Sequence, residues 1–288
     1  MDNLETIDYV DQSKQLIIAD AHVHIYDCFD LDKFLNAAAN NFNNSALNKG
    51  YKDRFESILF LTETKFDNKF LELLECANNY KKNNSKNQWI IDKTKENYSL
   101  YASNSNNQKI FIIAGRQIVT AENLEVLALI TAKTFEDGLP IKRVIQDVIN
   151  SGGIPVIPWG FGKWIRSRGK ILTNLLQEEN LPILFLGDNS GRPHFWSTPP
   201  YFKQAEQRGL RILPGTDPLP FNSEFWRPGS FGFTLEGSLN PDEPANSIKK
   251  MLLDPTTKLQ SYGSLETPFR FVRNQLAMQI LKRQRRKI

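Results

Sequence analysis

Residues 16–26 read LIIADAHVHIY. Three apolar residues and an alanine lead into Asp20-Ala21-His22-Val23-His24. A run of that length and composition suits a buried β-strand. Side chains alternate along a strand, so His22 and His24 project to the same face. Two imidazoles on one face at a strand's end supply half of a metal site. The chain has 3 histidines, and this one stretch contains two of them.

Working outward, 288 residues suit a single α/β barrel, which routinely occupies roughly 200–250 residues. Hydrophobic content of 40% and charged content of 24% are those of an ordinary globular protein. Lys and Arg total 36 against 32 Asp and Glu, a net charge of +4. That is too mild to argue for nucleic acid, which is not expected as a partner. Cys28 and Cys76 fit neither a zinc motif nor a disulfide framework. A reducing, cytoplasmic setting is therefore expected. The opening MDNLETIDYVDQ is acidic and polar, unlike a signal peptide. No apolar run approaches the ~20 residues of a membrane-spanning helix, so no membrane is expected as a partner.

Residues 1–15 read as a polar lead-in and 16–266 as one domain. Strands are expected at 16–20, 57–61, 109–114, 125–130, 154–158, 183–186 and 211–214. Helices are expected at 31–42, 66–77, 141–149, 171–179, 201–208 and 247–253. The stretch 78–108 reads as a polar insertion carrying two short strands, 89–91 and 98–102. Residues 267–288 read as a basic amphipathic helix. From 109 onward the rhythm is strand, polar tip, helix, strand, which argues for parallel strands with crossover helices. Without a G-x-G-x-x-G after the first strand, a barrel is favoured over an open dinucleotide-binding sheet. Chemistry in barrels gathers at the strands' C-terminal ends. The polar residues at those ends are His22 and His24, Glu63, Arg116 and Gln117, Lys163, Asp188 and Asn189, and Asp217.

These residues resemble a known series. ADAHVHIY is similar to the D-x-H-x-H first motif of the PHP family, named for polymerase and histidinol phosphatase domains. FIIAGRQIVTAENLEVLALI resembles the strand pair in which a glycine precedes a ligand glutamate. VIQDVINSGGIPVIPWG resembles the helix-Gly-Gly-strand unit that ends in a histidine. RILPGTDPLP resembles the closing G-S-D-A-H motif, and FWRPGSFGFTLEG the segment after it. The resemblance covers roughly 16–255. It implies a distorted TIM-like (β/α)7 barrel of PHP type, binding up to three divalent metals and hydrolysing phosphoesters. The amidohydrolase-like metal-dependent hydrolases also open with H-x-H and close with a strand-end aspartate, but His194 alone remains to supply their further histidines.

Several positions depart from the PHP pattern. Glu63-Thr64 stands where an aspartate-histidine pair is usual, Gln117 where the glutamate is, Pro158-Trp159 at a histidine position and Leu219 at the last histidine. One metal ion, or none, is what the residues permit.

Two imidazoles and a carboxylate suit Zn²⁺, Mn²⁺ or Fe²⁺. His22, His24 and Asp217 are the expected metal ligands, and Asp217 and Glu63 the expected catalytic carboxylates. Glu63 has an alternative as a cap for the helix that follows it, and Asp217 one as a turn residue. Arg192, Lys163 and Arg116 are expected to hold an anionic group of the substrate, with Trp159 beside them. A small-molecule, phosphorylated substrate is expected. Two readings stay open: a metal-dependent phosphoesterase with a reduced site, and a degenerate PHP-like domain that binds a ligand or partner without catalysis.

Overall fold

The computed structural model describes residues 15–52, 54–79 and 88–285. The polar lead-in, apart from Gln15, and residues 80–87 of the insertion lie outside that range.

The strand carrying the two histidines, β1 (Gln15–Val23), is buried from Leu16 onward. It has β2 (Phe55–Leu61) parallel on one side and β11 (Phe231–Gly237) antiparallel on the other. Next to β2 lies parallel β5 (Lys109–Ile113), followed by the antiparallel β4 (Ser99–Asn104) and β3 (Trp89–Lys93). β12 (Gln260–Gly263) closes the far edge beside β11. A second sheet runs β10 (Ile212–Gly215), β9 (Phe185–Asn189), β8 (Ile154–Pro158), β7 (Glu125–Leu129), β6 (Gly115–Val119).

Among the described residues the architecture is therefore α/β with two mixed sheets of 7 and 5 strands, and the expected TIM-like barrel is not formed. The expectation failed on strand direction. β7 runs antiparallel to both its neighbours, and β11 runs antiparallel to β1. An apolar run of four or five residues looks the same whichever way its neighbour points. β6, β11 and β12 were also not read as strands, because Arg116, Gln117 and four glycines dilute their apolar character.

Alternation along the strands produces the core. Ile17, Ala19 and Ala21 of β1 and Ile58 and Phe60 of β2 pack against Leu127, Leu129, Val156 and Leu213 of the smaller sheet. The opposite face of the larger sheet is covered by α1 (Leu31–Asn48) and α2 (Lys69–Asn78), through Phe34, Leu35, Phe42, Phe70 and Leu73. The outer face of the smaller sheet is covered by α3 (Ile141–Asn150), α4 (Arg166–Leu176) and α5 (Pro200–Gln207). α6 (Pro244–Leu253) adds Ile248 and Leu252 to the core between the sheets. The chain ends in α7 (Pro268–Arg285). Among the described residues, no helix is long and apolar enough to cross a membrane.

Two seams join the sheets at the tips of their strands. On one, the Glu63 N–H donates to the Gly115 carbonyl at 3.1 Å, and the Gln117 N–H to the Glu63 carbonyl at 2.8 Å. On the other, the Asp217 N–H donates to the His22 carbonyl at 2.8 Å. Both seams need glycine: a Cβ on Gly115 would sit 2.4 Å from the Leu61 carbonyl oxygen, and one on Gly215 2.4 Å from the His22 nitrogen. The seams bring residues far apart in sequence to one end of the core.

Candidate metal centre

Between Asp20 and Val23 the pairing of β1 with β2 shifts register. Before the shift, Ile17, Ala19 and Ala21 face the core between the sheets. After it, Val23 and Ile25 face the outer cluster with α1. Alternation then turns His22 and His24 inward. Asp20 holds this bend. Its buried carboxylate accepts from the Thr216 N–H (2.8 Å) and hydroxyl (2.5 Å), the Gly229 N–H (2.9 Å) and the His22 N–H (3.2 Å). Burial raises its pKa to about 6, against the pull of those donors.

His22 Nε2 lies 3.2 Å from His24 Nε2. Asp217 Oδ1 lies 3.4 Å from the first and 3.5 Å from the second. Among the described residues, these three form the group of ligand-type side chains with donor atoms within 4.8 Å of one another. Gln117 Oε1 stands 3.1 Å from His22 Nε2, and Thr62 Oγ1 3.5 Å from His24 Nε2. Tyr26 stacks on the His24 ring, with centroids 5.4 Å apart.

Asp217 adopts φ +46°, the left-handed region that aspartate tolerates better than most residues. The Asn189 amide donates to its Oδ2, leaving Oδ1 toward the imidazoles. Burial alone would raise the Asp217 pKa. The two imidazoles, Lys163 and Asn189 outweigh it and bring the group below the ordinary carboxylate range. Burial, then the neighbouring His22, lowers His24 to about 4. At neutral pH that ring is uncharged and offers a lone pair.

The donor set fits one divalent ion. Ligands bonded at about 2.0–2.1 Å around a tetrahedral centre stand about 3.3–3.4 Å apart, and the three edges here are 3.2, 3.4 and 3.5 Å. Three lone-pair atoms converging in a largely buried place repel unless a cation lies among them. A proton on one ring relieves one edge, whereas a metal ion satisfies all three. The buried His24 Nδ1 has no hydrogen-bond partner among the described residues, so no second acceptor holds that ring's tautomer.

The other expected residues fall into two groups. Glu63, Arg116 and Arg192 are buried and engaged with the protein itself. Glu63 Oε1 accepts from the Phe70 N–H in the first turn of α2 (2.6 Å), and Oε2 pairs with Arg116 at 3.2 Å. Arg116 also donates to the Asp67 carbonyl at 2.7 Å. Burial raises the Glu63 pKa. Arg192 clasps both oxygens of Asp188, at 2.9 and 2.7 Å. Lys163 and Trp159, by contrast, line a cavity of about 610 Å³ that also takes in His24, Gln117, Asn189 and Asp217. Lys163 pairs there with Glu125. Trp159, Phe161, Trp196 and Phe271 form an edge-to-face cluster along its wall.

Asn189 was visible in the sequence only as a polar strand end beside Asp188. Nothing in its spacing marked it as the residue that orients Asp217. Thr62 carried no signal at all.

No family model matches the sequence, and no curated protein matches it. Among solved structures, the chain is similar to PsfC from Pseudomonas syringae PB-5123, at 15% identity and a TM-score of 0.52, over 93% of this chain and 99% of that one. It is also similar to the lesion-specific endonuclease PfuEndoQ from Pyrococcus furiosus, at 10% identity and a TM-score of 0.51. That match covers 86% of this chain and spans 59% of the endonuclease. The likenesses show a shared overall fold.

Proposed function

We propose that the chain is a metal-dependent hydrolase of PHP-like type that acts on a phosphoester through a one-ion centre. The observation that carries this reading is the triangle of His22 Nε2, His24 Nε2 and Asp217 Oδ1, with edges of 3.2–3.5 Å, beside a cavity large enough for a substrate. His22, His24 and Asp217 would hold the ion. The chemistry an ion supplies at such a site, when bound, is polarisation of a phosphoryl oxygen and acidification of water.

The chain's own residues do the rest. Asn189 orients Asp217 by holding Oδ2. Lys163, a cation that lines the cavity, neutralises a phosphoryl oxygen once it exchanges Glu125 for substrate. Trp159 and Phe161 wall the cavity against bulk water. Glu63 and Arg116 brace α2 and the seam instead of meeting the substrate, since each is bound by the other and by backbone. Arg192 is likewise a brace, because Asp188 occupies its guanidinium.

The substrate we favour is a small phosphorylated molecule, because the cavity is enclosed on one side by aromatic walls and α7. The endonuclease among the structural neighbours keeps nucleic acid as the competitor. The second reading, a ligand-binding domain without catalysis, draws on Gln117 and Leu219 standing where the resemblance expects ligands. The test is turnover by Mn²⁺- or Zn²⁺-loaded protein of a small phosphomonoester, a small phosphodiester and an abasic DNA duplex. Turnover of a small ester, with Lys163→Ala raising KM about tenfold or more, supports the proposal. Cleavage of the duplex alone would replace the substrate, and turnover of none would leave the binding domain.

A further inference from the structure

The outward face of α7 is apolar and basic at once. Phe269 is 78% exposed, Val272 54%, Leu276 59% and Ile280 58%. Their spacing of three, four and four places them on one stripe of the helix. Phe271, Asn274 and Met278 lie on the opposite face, toward the cavity. The helix is fastened by that inner side. Arg270 reaches Glu224 at 3.5 Å and Glu266 at 3.6 Å. The stripe is therefore not a loose segment: it is an apolar surface held outward by a docked helix.

Exposed aromatics lie beside the helix, Trp226 at its flank and Phe161 and Trp196 on its inner side. The Arg270 guanidinium lies over Trp226 at 4.4 Å, and Phe161 and Trp196 both meet Phe271 edge-on. Trp226, Phe161 and Trp196 are each more than a third exposed. Between residues 267 and 288 the sequence has seven Lys and Arg and no Asp or Glu.

We propose that this face of α7 docks on an anionic phospholipid surface, with the helix lying in the interface plane. An anionic bilayer satisfies both halves of the face. The stripe enters the acyl boundary, the exposed Arg273 and Arg283 meet phosphate and carboxylate headgroups, and Trp226, held at the helix's flank by Arg270, sits at the level where such side chains settle. A second copy would bring two like-charged helices together with no acid on either to offset them. A nucleic acid would meet the arginines and leave the apolar stripe in water. The absence of a membrane-spanning run, which set the expectation of no membrane, does not bear on a helix that lies on a surface.

The experiment is co-sedimentation of the full chain with phosphatidylcholine vesicles, with and without phosphatidylserine. Binding is expected to the anionic vesicles and not to phosphatidylcholine alone. Leu276→Glu with Ile280→Glu should abolish it with little change in the thermal midpoint, since both side chains are more than half exposed. Neutralising Arg283 to Gln should weaken it about fivefold. No binding to anionic vesicles overturns the proposal, as does binding that the double glutamate variant retains. A concentration-dependent dimer dispersed by the same variant assigns the face to a second copy and also overturns it.

Discussion

Asp20 shows how a side chain without a place in the metal triangle can decide its geometry. Its carboxylate ties the bend in β1 to Thr216 and Gly229, and Thr216 is the residue before Asp217. Asp20→Asn keeps the shape but turns one acceptor oxygen into a donor facing other donors. The expected cost is roughly 3 kcal/mol, in the range for losing a hydrogen bond to a charged group while leaving buried donors unpaired. It should show as a lower urea midpoint at unchanged slope, together with weaker metal binding although every proposed ligand remains. At this scale His22 and His24 were legible, because period-2 alternation is a property of adjacent residues. Asp217 was legible as a polar strand end, and the resemblance made it a ligand. Its position depends on a left-handed backbone and on Asn189, neither of which a spacing reveals.

Among the elements, the seams between sheets depend on close backbone approach at Gly115 and Gly215. Gly215→Ala would push a methyl group to 2.4 Å from the His22 nitrogen. We expect a loss of about 1–3 kcal/mol from overpacking, and a fall in metal affinity larger than stability alone explains, measured by titration with Zn²⁺ on folded protein. Glu63 links β2 to the start of α2 and to Arg116. Glu63→Ala leaves a buried guanidinium without its partner, so about 3–5 kcal/mol should be lost. Glu63→Gln keeps an acceptor for the Phe70 N–H and should lose less. If Glu63→Gln is the more stable of the two and both leave hydrolysis per folded molecule unchanged, Glu63 is a brace and no proton carrier. Boundaries were read well where apolar residues end at a breaker, as in β8 at 154–158. They were read badly where burial overrides composition. The asparagine-rich stretch after 40 was expected to end α1, but Phe42 and Ala46 continue its buried stripe to Asn48.

The whole molecule was the least legible. A sequence announces that strands and helices alternate, but which edge a strand takes is settled by contacts between distant segments. β11 enters beside β1, antiparallel, with Gly232 allowing its backbone against the Ala19 carbonyl. The chain passes from one sheet to the other through the single residue Ala114 between β5 and β6. Neither event leaves a periodic trace, and both replace a closed barrel with two sheets that meet at their tips. That arrangement still delivers His22, His24 and Asp217 to one point, across nearly two hundred residues of sequence. The most direct test is elemental analysis of tag-free protein after exposure to Mn²⁺ or Zn²⁺ and removal of free ion, with His22→Ala and Asp217→Asn in parallel. The proposal predicts about one ion per chain and its loss in both variants while the fold persists by circular dichroism. A folded wild-type chain that takes up no metal, or variants that retain it in full, would contradict the proposed centre.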